Sequence, residues 1–105
     1  MFDDRKDAYE RRFAHDEELR FKATARRNRL LGLWVAEKLG KTGADADVYA
    51  TDVVVADLAE AGDQDVIRKV LADLSAAGVA CDEAQIVRAL DEAMVRAMKE
   101  IEAGS

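Results

Sequence analysis

The sequence predicts an all-α fold, a four-helix bundle with a protruding, partly disordered N-terminal arm. Three observations carry that expectation. There is no proline, and alanine is abundant, so almost every stretch can continue a helix without an internal breaker. Apolar residues recur at three- and four-residue spacing from Leu30 onward, the period of a helix face. Gly40, Gly62 and Gly78 divide that patterned part into four pieces of helical length, and glycine takes up the left-handed conformation that ends many helices. At 105 residues the chain is one domain with a single core, read as an arm over 1–18 and a bundle over 19–105.

The organising stretch runs from Phe13 to Leu39 and reads as one helix. Leu30, Leu31, Gly32, Leu33, Trp34, Val35 and Ala36 make its second half apolar on nearly every face, which requires neighbours all round. Its first half is charged and is not expected to contribute core. At about 100° per residue, Leu19, Ala23, Leu30 and Trp34 share a stripe that Arg20 and Arg27 border on one side and Arg26 on the other. Ahead of it, residues 2–18 favour helix by propensity but not by burial. Phe2, Tyr9 and Phe13 are the large apolar groups there, and at spacings of 7 and 4 they stack on one stripe. Asp7 with Arg11, Asp16 with Arg20 and Glu18 with Lys22 are i,i+4 pairs, each worth about 0.2–0.5 kcal/mol. That sum cannot hold a short isolated helix. The arm is therefore expected to order fully when its aromatic stripe finds a surface, on its own bundle or on a partner.

After Gly40, the second helix is expected from Thr42 or Asp45 to Ala61, with Asp45 and Asp47 suited to its N-terminal dipole. Val53, Val54 and Val55 would suit a strand, but their setting of Ala, Asp and Glu favours helix. Asp63 is positioned to cap the third helix, whose Val66, Ile67, Val70, Leu71 and Leu74 form one apolar face. Gly78 ends it, and Val79 is placed to meet Leu74 in a Schellman turn. Asp82 and Gln85 have capping-box spacing at the start of the fourth helix, with Cys81 and Ile86 as its hydrophobic staple. Ile86, Leu90, Met94, Ala97 and Ile101 are its inward stripe.

The chemistry-bearing residues are few. His15 is the one histidine and Cys81 the one cysteine, far apart in the chain, so neither a Cys-His pair nor a four-ligand zinc site is expected. Gly40-Lys41-Thr42-Gly43 lacks the upstream glycine and strand of a phosphate loop. The reading is a non-enzyme without cofactor or metal. No run reaches the roughly 18 apolar residues of a membrane span, and Met-Phe-Asp-Asp-Arg does not resemble a secretory signal. A lone cysteine suits a reducing, cytoplasmic setting.

The net charge of −6 is uneven. Residues 19–29 hold Arg20, Lys22, Arg26, Arg27 and Arg29 and no acid, whereas from Leu30 onward 7 basic face 15 acidic side chains. Two readings of the basic run stand side by side. In one, the arginines cover apolar surface with their stems and pair with acids on other helices. In the other, Arg20 to Arg29 is the footprint of a helical nucleic-acid-binding module. The cations fall on two sides of the helix, and the acidic remainder repels phosphate, which disfavours nucleic acid as a partner.

The run AHDEELRFKATARRNRLLGLWVAEKLG, with the opening MFDDR, the following TGADADVYA and the later DVIRKVLADL, closely resembles the zeta subunit of alpha-proteobacterial F-type ATP synthases, over nearly the whole chain. The resemblance implies a four-helix bundle whose N-terminal segment inhibits ATP hydrolysis by inserting at a catalytic alpha/beta interface of the synthase, against gamma. The partners so implied are the alpha, beta and gamma subunits, with the protein held at the cytoplasmic face of the inner membrane through the synthase and not inserted in the lipid. Mapped onto this chain, the inhibitory segment corresponds to Met1 through about Asp16. Phe2, Tyr9 and Phe13 are the expected apolar anchors, and Arg5, Lys6, Arg11 and Arg12 the expected ion-pair donors to acidic groups of the partner. Family members that keep the bundle and bind without inhibiting are the alternative this resemblance leaves open.

Overall fold

The computed structural model describes residues 16–57 and 62–104, and these form four helices: α1 (Glu17–Lys38), α2 (Gly43–Asp57), α3 (Gln64–Ala76) and α4 (Glu83–Gly104). The four-helix architecture is the one expected. The arm through His15 lies outside the described residues, as do 58–61, where α2 was expected to finish.

α1 does not run through from Phe13. Asp16 has extended backbone, φ −121° and ψ 102°, and its carboxylate accepts the Leu19 amide at 3.0 Å. Asp16 is therefore the N-cap of α1 and not the i,i+4 partner of Arg20, because a cap satisfies an amide that has no partner inside the helix. Glu17 and Glu18 form the first turn, where acids suit the dipole. At the other end Gly40, at φ 79°, closes a Schellman turn: Lys41 N donates to Ala36 O at 2.9 Å and Gly40 N to Glu37 O at 3.1 Å. The same pair of bonds ends α3, from Val79 N to Leu74 O and from Gly78 N to Ser75 O. The capping box of α4 is formed in both directions, Gln85 N to Asp82 Oδ1 at 2.8 Å and Asp82 N to Gln85 Oε1 at 2.9 Å.

α1 is the central element and packs against each of the other three helices. The main core surrounds its second half. Leu31, Val35 and Ala36 of α1 meet Tyr49 and Val53 of α2, Val66, Ile67, Val70 and Leu74 of α3, and Ile86 and Leu90 of α4. Cys81 is half-buried and packs against this cluster, of which Ile86 is a member. A smaller core joins the first half of α1 to the far end of α4: Ala23 against Met98, flanked by Leu19, Met94 and Ile101. The expectation that the first half of α1 contributes no core is thus corrected. α4 is as long as α1, and its last turns reach back to cover Ala23.

Close approach of α1 and α2 depends on Gly32. A Cβ at that position would stand 2.7 Å from Ala50 Cα and 3.2 Å from Ala50 Cβ. α2 and α3 are joined across the core by Tyr49, whose hydroxyl donates to Asp73 Oδ2 at 2.7 Å, while Lys69 Nζ lies 3.1 Å from the same oxygen. Burial and the adjacent Asp73 carboxylate push the Tyr49 hydroxyl's pKa well up from its ordinary value. The folded state therefore keeps a proton that the unfolded chain releases near pH 10. The contribution is full below that pH and is lost as pH rises above it, by up to about 1.4 kcal/mol per unit. Urea unfolding at pH 8 and pH 10.5 checks this. Wild type is expected to lose more stability between the two than Tyr49→Phe, which should start about 1–2 kcal/mol lower for want of the hydrogen bond.

Candidate partner-binding surface

Every residue named above as an anchor or ion-pair donor of the arm, Phe2, Arg5, Lys6, Tyr9, Arg11, Arg12 and Phe13, lies outside the described residues, as does His15. What the structure supplies is the root of the arm and the surface beside it. The root is Asp16, whose extended backbone and side-chain cap hold the start of α1 at a defined point.

From there the basic run resolves into side chains with separate tasks. Lys22 pairs with Glu18 one turn back, both exposed. Arg29 reaches Asp47 of α2 at 3.0 Å. Arg26 reaches Glu100 of α4 at 3.2 Å, and Arg96 holds the other oxygen of Glu100 at 2.9 Å, so one carboxylate ties α1 to α4. Hydrogen bonding from Arg96, then from Arg26, holds the Glu100 carboxyl below its ordinary value against partial desolvation. Whatever Glu100 adds to stability is present at neutral pH and lost as pH falls through its folded value.

Arg27 is the exception to a solvated basic face. It is 6% exposed, its Nε and Nη2 donate to Asn28 Oδ1 at 3.0 and 2.9 Å, and its Nη2 donates to Asp63 Oδ1 at 2.8 Å. Asp63 precedes α3 but its side chain makes no capping bond. The carboxylate expected to cap a helix is instead engaged by an arginine from across the bundle, since a buried guanidinium left unpaired costs far more than one open helix end. The stripe drawn through Leu19, Ala23, Leu30 and Trp34 also marks only the edge of the buried face, which is turned toward Arg27, Leu31 and Val35. Four of the five cations are thus engaged with acids of their own chain, the arrangement in which arginine stems cover apolar surface.

On the opposite side of α1 from Ala23 lies Phe21, 63% exposed, the most exposed large apolar side chain among the described residues. It stands at the lip of a groove of about 590 Å³ between α1, α2 and α4. Ala25, Leu30, Leu33, Val54 and Ile101 give the groove an apolar lining, and Lys22, Arg26 and Arg29 lie along it with Glu100. Reasoning from sequence did not find this surface. The available signal was Phe21 itself, an aromatic about 180° off the apolar stripe.

Among the described residues no three His, Cys, Asp or Glu side chains come together as a metal site, and no helix is long and apolar enough to cross a membrane.

The chain is similar to a solution NMR structure with 46% sequence identity, a match that covers 83% of this chain and 99% of that chain with a TM-score of 0.74. No curated protein matches the sequence. A family model described as ATPase inhibitor subunit zeta matches residues 1–100. That span takes in the arm, all of α1 to α3 and most of α4, and the chain belongs to the ATPase inhibitor subunit zeta family.

Proposed function

We propose that this protein is a non-catalytic regulatory subunit of an F-type ATP synthase, which blocks ATP hydrolysis by inserting residues 1–16 as a helix at a catalytic alpha/beta interface next to gamma. The observation that carries the reading is that the family match begins at residue 1 and so includes the aromatic and basic arm as well as the bundle. The protein acts at the cytoplasmic face of the membrane through the synthase, without inserting in lipid.

Inhibition of this kind is a matter of differential binding. The catalytic interface opens and closes during turnover, and a wedge stops it only by binding one of those conformations better than the others. Phe2, Tyr9 and Phe13 are the anchors, because large apolar side chains gain roughly 1.5–3 kcal/mol each on full burial. Arg5, Lys6, Arg11 and Arg12 pair with acids of alpha, beta or gamma and set orientation. Asp16 supports the arrangement from behind: a capped helix start gives the wedge a fixed base.

The test is ATP hydrolysis by the isolated synthase head, titrated with the full-length chain and with Tyr9→Ala. Saturable inhibition by the first is expected, with a half-maximal concentration raised about 10- to 100-fold in the second, as for a buried anchor residue. Absence of inhibition at any concentration of the full-length chain overturns the reading.

A further inference from the structure

We propose that the groove between α1, α2 and α4 is a second docking surface, which receives an amphipathic helix of the arm's own partner with its apolar stripe in the groove and carboxylates facing Lys22, Arg26 and Arg29. The inference rests on the reading above that this partner is the synthase head.

Shape supports a helix. Along α1 the groove extends from Phe21 to Leu33, a span of about 18 Å at 1.5 Å per residue, which matches about three turns of a docking helix. Ile101 lines it from α4 and Val54 from α2. Phe21 at the lip is exposed and belongs to neither core cluster of the described residues, and an aromatic beside an apolar cleft is the usual anchor of an interface.

Charge defines the partner. The chain carries −6 overall, yet the groove is bordered by three cations and one carboxylate. That carboxylate, Glu100, is already shared between Arg26 and Arg96. The Lys22–Glu18 and Arg29–Asp47 pairs are exposed on both sides, and such pairs contribute little, so both cations can exchange their acids for those of an incoming helix. An acidic-flanked helix fits this border and a basic one is repelled. Position links the surface to the arm: Phe21 lies five residues past the Asp16 cap, so a partner that holds residues 1–16 stands beside the groove. Two linked contacts raise overall affinity with no change in either.

The experiment measures affinity of the full-length chain for the isolated synthase head, in wild type, Phe21→Ser and Val54→Glu. Phe21 is exposed, and a carboxylate at 54 would face Arg26 and Arg29, so both variants should melt like wild type. Val54 belongs to α2 and to no part of the arm's own helix, so its effect reports the groove alone. Each variant is expected to bind about tenfold more weakly while reaching the same inhibition at saturation. Wild type and variants binding equally overturns the groove and leaves the arm-driven reading standing. Wild type failing to bind removes both. Loss of a dimer in Val54→Glu with unchanged affinity for the head would mean that the groove holds a second copy, and overturns the proposal as well.

Discussion

Removal of residues 1–16 is expected to abolish inhibition of ATP hydrolysis while leaving the bundle folded. Both halves of that outcome follow from where the apolar side chains stand. Phe2, Tyr9 and Phe13 are the large apolar groups of the arm. Among the described residues the core begins at Leu19 and Ala23, held against Met94, Met98 and Ile101, and its main part lies beyond Leu31. A chain that starts at Glu17 keeps all of these contacts. It loses the Asp16 carboxylate and its bond to the Leu19 amide, at a cost of about 1 kcal/mol, or roughly 4–8 °C in melting temperature for a domain of this size. A chain that starts at Asp16 retains the cap, and comparing the two truncations by circular dichroism separates capping from inhibition. Neither should inhibit the isolated head at concentrations that saturate wild type. Undiminished inhibition by either would move the active segment into the bundle.

Gly32→Ala is expected to destabilise the fold even though alanine is the better helix former. Removing a glycine from a helix interior gains about 1 kcal/mol by propensity. At this position the added Cβ would meet Ala50 Cα at 2.7 Å and Val53 Cβ at 3.3 Å. The nearest of these atoms is backbone, fully buried with Ala50, so the whole of α2 must move. Overpacking of that kind costs about 1–3 kcal/mol, and with the propensity gain subtracted the net loss for alanine is up to about 2 kcal/mol. Gly32→Val places two further carbons in the same contact and is expected to lose about 3 kcal/mol, more than 10 °C in melting temperature. Thermal unfolding of the series decides it. A rise in stability from glycine to alanine would mean that α1 and α2 are not in close contact there.

How far the chain could be read without coordinates depends on which interactions are local. The Asp82–Gln85 box and the Gly40 and Gly78 turns lie within five or six residues of one another. Their geometry is set by backbone preferences and side chains close in sequence, and each formed as read. The apolar faces of α3 and α4 were legible for the same reason, since a 3.6-residue period is written into the chain. Family membership was legible too, because the run from Ala14 to Gly40 is long and unusual in composition.

What local sequence did not reveal was how α1 is rotated against its neighbours and where it crosses them. α1 is apolar all round in its second half, so its periodicity could not say which face meets which neighbour, and the buried face proved to be turned toward Arg27. That rotation places Arg27 against Asn28 and Asp63 and takes Asp63 from its capping role. The crossing of α1 over α2 makes Gly32 a contact point with Ala50, where the sequence suggested only another residue of an apolar run. The sequence by itself determined that the described residues form four helices, and where the turns at Gly40 and Gly78 end the first and third of them. Tertiary structure alone decided that Phe21 and three cations border an open groove, because such a surface exists only where three helices meet and no local interaction encodes their angles.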